Sequence, residues 1–188
     1  MARLDTNFKK DQELYGSVGE NWLLQRLTTS PKTKQVIDVS DNPTFIKHDV
    51  DLIQVTGEPF DLKDLVKVYS AEKIYNGNAV IYEVKTDTQI LKTGNIAYEI
   101  MSNTNPGCFA RTLSNYIVYV GINRERNNAV ESVYLLDTYS LREWVLTHWA
   151  DNVMKPYYMD HKNGDRTALL LIPIERLQKD RVAKAIIK

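Results

Sequence analysis

The stretch that most restricts what this chain can fold into is Ile81-Tyr82-Glu83-Val84-Lys85-Thr86-Asp87, an apolar strand sequence that carries an acid and a base two places apart. Alternate side chains of an extended strand share a face, so Glu83 and Lys85 point one way while Tyr82 and Val84 point the other. A carboxylate and an ammonium beside a strand core are costly unless they pair or hold something. The sequence around them therefore has to supply partners, and this strand is the first place to look for chemistry.

The 188 residues match one ordinary domain, and 43% apolar with 26% charged residues is the balance of a folded globular chain. The expectation is a single domain over 1–188, with insertions near 57–78 and 150–166. The 24 basic residues cancel the 24 acidic ones, so net charge announces neither nucleic acid nor an acidic partner, although a local basic surface stays compatible with it. The single Cys108 allows no internal disulfide, and His48, His148 and His161 are too scattered for a zinc-type Cys/His cluster. No run approaches the ~18 apolar residues of a membrane span, and Met1-Ala2-Arg3-Leu4-Asp5 lacks the apolar segment of a signal peptide. These features predict a cytoplasmic protein with no membrane partner.

Taken in order, Leu14, Val18, Leu23, Leu24 and Leu27 recur at helical spacing and predict an amphipathic helix from about Asp11 to Leu27. Gly16 and Gly19, one turn apart, would let a neighbour approach closely, and Glu20 lies at the edge of the apolar face. Strand patterns follow at Gln35 to Val39 and Lys47 to Val55, the second placing Asp49, Asp51 and Ile53 on one face. A polar insertion with Asn76-Gly77 as its last turn feeds Ala79 to Asp87, so that Asp51 and Glu83 can lie on adjacent strands. Beyond Thr93-Gly94-Asn95 come an apolar segment at Ile96 to Ile100, a turn-rich loop, a short helix at Ala110 to Asn115 and strands at Tyr116 to Gly121 and Ser132 to Leu136. Ser140-Leu141-Arg142-Glu143 fits a capping box opening a helix with Leu141, Trp144, Val145, His148 and Trp149. Thr167 to Ile172 reads as a buried strand, and Pro173 as the start of a last helix presenting Ile174, Leu177, Val182 and Ile186. The order predicts an α/β or α+β layer fold.

Glu20 on a first helix, Asp51 on one strand and Glu83-Val84-Lys85 on the next form an acid, acid, Glu-x-Lys series. The series, with the apolar approach Ala79-Val80-Ile81-Tyr82, resembles the PD-(D/E)XK nuclease superfamily, the restriction-endonuclease-like fold of phage exonucleases, Holliday junction resolvases and repair nucleases. The likeness runs from about residue 11 to residue 100, and Thr93 to Glu99 followed by Ser114 to Tyr119 looks like phage-type members. The resemblance implies an α/β fold with a restriction-endonuclease-like core, a central mixed β-sheet flanked by α-helices, and the activity of a metal-dependent hydrolase of DNA phosphodiester bonds. It also implies that Asp51, Glu83 and the Val84 carbonyl hold Mg²⁺ or Mn²⁺, that Lys85 acts beside the attacked phosphate, and that Glu20 binds a second ion or its water shell. Carboxylates suit such hard cations, and soft ligands are absent from the series. A homodimer follows by analogy with resolvases.

Other assignments stay open in the sequence. Asp49 competes with Asp51, which the apolar residues after it favour; Thr86, Asp87 and Gln89 lie just beyond the motif; Glu99 is a candidate for orienting substrate and His48 for shuttling protons. Lys32, Lys34, Lys47, Lys92, Arg111, Arg124 and Arg126 are candidate phosphate contacts, and Trp144, Trp149, Tyr157 and Tyr158 candidate base-stacking groups. The alternatives to an active nuclease are a catalytically inactive module of the same fold that binds nucleic acid or assembles with other chains, and a scaffold in which Glu83 simply pairs with Lys85.

Overall fold

The computed structural model describes residues 8–59, 78–150, 156–160 and 166–187. Helix α1 runs Phe8–Thr28, and the hydroxyls of Thr28 and Thr29 bond back to the carbonyls of Leu24 and Gln25 at its end. Strand β1 (Gln35–Asp38), the short helix α2 (Pro43–Ile46, capped by the Asn42 side chain) and β2 (Leu52–Val55) lead to β3 (Ala79–Asp87). Then come α3 (Ile90–Thr93), β4 (Asn95–Ser102), β5 (Asn105–Pro106), α4 (Cys108–Arg111) and β6 (Tyr116–Asn123). The chain continues through β7 (Ala129–Asp137), α5 (Thr138–Ala150), β8 (Tyr157–Asp160), β9 (Arg166–Pro173), α6 (Ile174–Lys179) and β10 (Ala183–Ile187).

A six-stranded mixed sheet in the order β1-β2-β3-β6-β7-β10 carries the fold. Only β3 and β6 in it are parallel. A parallel pair needs a long crossover, and here that crossover makes a second layer: β4 leaves to form an antiparallel sheet, β5-β4-β9-β8. The α/β class and the central mixed sheet are as expected. One face of the central sheet is covered by a second sheet as well as by helices, which strand-by-strand patterning does not reveal.

Strand alternation divides the core. Val118, Val120 and Ile122 of β6 and Tyr82 and Val84 of β3 pack under Leu23 and Leu27 of α1. Ile117 and Tyr119 face the other way, onto Ile96, Tyr98, Leu170 and Ile172 of the second sheet, Leu141, Trp144 and Val145 of α5, and Leu177 of α6. A third cluster joins Phe45, Val50, Ile53 and Ile81 beside the β1 edge. Gly19 is the close approach between α1 and the sheet: a methyl there would collide with the Thr86 hydroxyl and Val84.

Several expectations are corrected. Asp49 is not on a strand; it sits at φ 46 in the turn before β2, which breaks the alternation that placed it with Asp51 and Ile53. The helix expected at Ala110 to Asn115 forms two residues earlier, and α3 was not expected at all. Helix α5 opens before Ser140, and the cap is Asp137, whose carboxylate accepts from the Ser140 N–H at 2.7 Å. The last helix stops at Lys179 because Arg181 adopts φ 61, and Val182 to Ile186 leads into and forms β10. Asn76-Gly77 lies outside the described residues, as does most of the 57–78 insertion. No described helix is long and apolar enough to cross a membrane.

Candidate active site

Glu83 and Lys85 lie at mid-sheet on β3, between β2 and β6. Both project to the face opposite α1, as strand alternation requires. Glu83 is 3% exposed, and its Oε1 is 2.5 Å from the Lys85 ammonium. Its Oε2 is buried and has no hydrogen-bond partner among the described residues. A carboxylate oxygen left so costs several kcal/mol, on the order of the penalty for an uncompensated buried polar group.

Asp51 stands one residue before β2 and is fastened to β3 on both sides of Glu83. Its N–H donates to the Tyr82 carbonyl at 2.9 Å, and its Oδ2 accepts from the Val84 N–H at 2.7 Å. The antiparallel register of Leu52 with Tyr82 carries the Asp51 carboxylate to Glu83. Burial pushes the Asp51 carboxyl up to about 6 against the opposing pull of the Val84 N–H and Lys85, and Glu20 pushes it further. Burial pushes Glu83 up to about 7, with Lys85 opposing and the Asp51 charge adding. Burial is the largest single influence on Lys85 and lowers its pKa, but the charges around it, Glu83 first and Asp51 with it, and the hydrogen bond to Glu83 together hold it well above the ordinary lysine range.

Glu20, Asp51, Glu83, Val84 and Lys85 all line one cavity of about 500 Å³, completed by Thr86 to Gln89, Tyr15, Gly16, Arg124 and Met159. Glu20 reaches it from α1, its pKa raised by burial and by the charges of Asp38, Glu83 and Asp41. Among the described residues no group of three or more His, Cys, Asp and Glu side chains is assembled to hold a metal. Asp51 and Glu83 come together through the β2–β3 register, and Glu20 lines the same cavity from α1. That pair fits a hard divalent ion on two counts: its donors are carboxylate oxygens, and the Glu83 Oε2 is buried without a partner. Magnesium in particular is commonly held by one or two carboxylates with water completing its shell.

The other candidates disperse. Asp49 is clamped by Arg111 through two bonds of 2.6 and 2.8 Å, which takes both out of the cavity. Asp87 accepts from the Tyr119 hydroxyl at 2.8 Å and from the Gln89 N–H, tying off the strand end. Thr86 bonds the Gly16 carbonyl, and Glu99 accepts from the Cys108 N–H at the start of α4. Cys108 is buried, its thiol pushed up to about 12 by burial above all. Trp144 packs in the core with its indole N–H on Asp180 and His148 stacked on its ring, so it is no base platform. Trp149, Tyr157 and Tyr158 are exposed and do not line the cavity. Of the candidate cations only Arg124 reaches the cavity, and Lys92 lines the hollow beside it. Tyr15 and Met159 were missed. Tyr15 was legible as the neighbour of Gly16, one turn before Glu20 on α1, whereas Met159 comes from β8 and has no sequence signal.

No protein-family model matches this chain, and neither a curated protein nor a solved structure does.

Proposed function

We propose that the chain is a metal-dependent nuclease that hydrolyses DNA phosphodiester bonds at Asp51, Glu83 and Lys85, on a restriction-endonuclease-like core made by α1 and β1, β2, β3 and β6. The observation that carries the reading is the pair of half-buried Asp51 and buried Glu83, with an unpartnered Glu83 oxygen beside a lysine that stays charged. Mg²⁺ or Mn²⁺ bound there supplies acidification of water and neutralisation of the charge that builds on the attacked phosphate. Asp51 is held in place for this by Val84, and Glu83 by its burial. Lys85 spends one of its three N–H donors on Glu83 and, one-third exposed, has the others for a phosphate oxygen. Glu20, across the cavity on α1, suits the water shell of an ion better than the ion itself.

Incubation with branched, linear and single-stranded DNA in Mg²⁺ and in Mn²⁺ tests the reading. Cleavage is expected, and Glu83→Ala and Lys85→Ala proteins that stay folded should each lose at least about 100-fold. Full activity in both variants sinks the site.

The closed Lys85–Glu83 pair favours a second reading, a catalytically inactive module of the same fold that binds nucleic acid or assembles with other chains. Calorimetric titration separates the two: an active site takes up Mn²⁺ in a manner abolished by Asp51→Asn, and an inactive module shows no such uptake.

A further inference from the structure

Glu83 and Lys85 border two spaces of opposite kind. In one they back onto Cys108, Phe109, Thr112 and Ile117, packed so closely that no water molecule fits. The Cys108 thiol there, pushed up to about 12 by burial above all, stays neutral and offers the ammonium no charge. The other is the cavity of about 500 Å³, which they line together with Asp51 and Glu20. The Lys85 charge acts on all three carboxylates, while its ammonium is paired with the Glu83 Oε1 at 2.5 Å.

The two partners differ in what they can do. Glu83 is 3% exposed at mid-strand and has no other place to put its carboxylate. Lys85 carries its charge on a flexible four-carbon stem, and its side chain is one-third exposed. A divalent ion taken up on the unpartnered Glu83 Oε2 would be a second cation on the same carboxylate, in surroundings too buried to screen the repulsion well. The partner that can move is Lys85, and of the two spaces only the cavity has room to receive its ammonium.

We propose that Lys85 and a divalent ion compete for Glu83, so that uptake of the ion turns the Lys85 ammonium into the cavity, where a phosphate would lie. The closed pair is then the resting arrangement of a working site, and ion and phosphate binding favour each other. The inference rests on the ion-site part of the nuclease reading. The test is acetylation of the full wild-type chain, read peptide by peptide by mass spectrometry, with and without saturating Mg²⁺. Lys85 should label about 10-fold faster with Mg²⁺, the factor that one charge-assisted hydrogen bond is worth. Lys92, which does not line the cavity, should keep one rate, and Asp51→Asn should make Lys85 indifferent to Mg²⁺. In calorimetric titrations at pH 8.5, Lys85→Gln should bind Mn²⁺ about 10-fold more tightly than wild type, whereas Lys85→Arg, which keeps the charge, should not. A Lys85 labelling rate unmoved by Mg²⁺, in a wild-type chain that calorimetry shows taking up the ion, overturns the exchange and leaves the ion site standing. Absence of Asp51-dependent uptake in both wild type and Lys85→Gln ends both. Labelling as expected without cleavage of any DNA upholds the exchange and sinks the nuclease reading.

Discussion

Asp49 and Asp51 are chemically the same and two positions apart, yet only one faces the cavity. What separates them is Arg111, 62 positions after Asp49, whose guanidinium grips Asp49 from the far end of α4. No local pattern could reveal that partner, whereas Asp51 was legible through the apolar residues that follow it. Asp49→Ala should accordingly cost about 1 kcal/mol of stability in a denaturant titration, an exposed bidentate pair being lost, and leave cleavage within a few-fold of wild type. Asp51→Ala should abolish cleavage. The carboxyls at the site also set a pH dependence. Asp51 and Glu83 titrate at about 6 and about 7 when folded, above ordinary values of 3.8 and 4.5, so the folded chain keeps protons that the unfolded chain has already released. Their contribution is fully present below about pH 4 and is lost as pH rises through about 7. The ion-free protein should thus melt at a lower temperature near pH 8 than near pH 5, Glu83→Gln should flatten the difference, and Mn²⁺ should restore stability chiefly at the higher pH. Melting curves whose pH dependence is untouched by Glu83→Gln would contradict this.

At the scale of elements, helix α1 earns its place through one glycine of two. A methyl at Gly19 would strike Thr86 and Val84, while one at Gly16 would meet only Glu20, at 3.8 Å. Gly19→Ala should cost ~1–3 kcal/mol and reduce cleavage by lifting Glu20 from the cavity. Gly16→Ala should gain up to ~1 kcal/mol through helix propensity. Urea unfolding of the two variants gives opposite signs if this packing holds. The glycine pair was readable as a close approach, but which glycine makes it depends on helix rotation against β3. Helix ends were less legible. Ser140 and Glu143 have the spacing of a capping box, yet Asp137 caps one turn earlier, and a Ser-x-x-Glu pattern cannot distinguish a first turn from a second. Val182 and Ile186 satisfy a helical repeat as well as β10, and only the left-handed backbone of Arg181 decides between them.

Across the whole molecule, the central sheet was legible because its strands are apolar and bounded by turn residues, and the second sheet was not, because β4 reads like any other strand until its partner β9 is known, some seventy residues later by about the length of two ordinary supersecondary units. The protection of backbone amides should follow this architecture. Strands β3 and β6, paired on both sides and packed on both faces, should exchange slowest with deuterium, and β8, which among the described residues pairs with β9 alone and exposes Tyr157 and Tyr158, should exchange fastest. Mass-resolved exchange that finds β8 as protected as β6 would refute the hierarchy. The two bonds by which Asp51 grips β3 bear on how such a protein is made. If β3 slipped by one residue against β2, Glu83 and Lys85 would turn into the apolar layer under α1 and Val84 would lose the carboxylate on its amide. A chain in that arrangement would be both unstable and without its charged constellation. The register of β3 against β2 and the meeting of Asp51, Glu83 and Lys85 are therefore fixed together, and a chain whose β3 is out of register does not assemble the constellation.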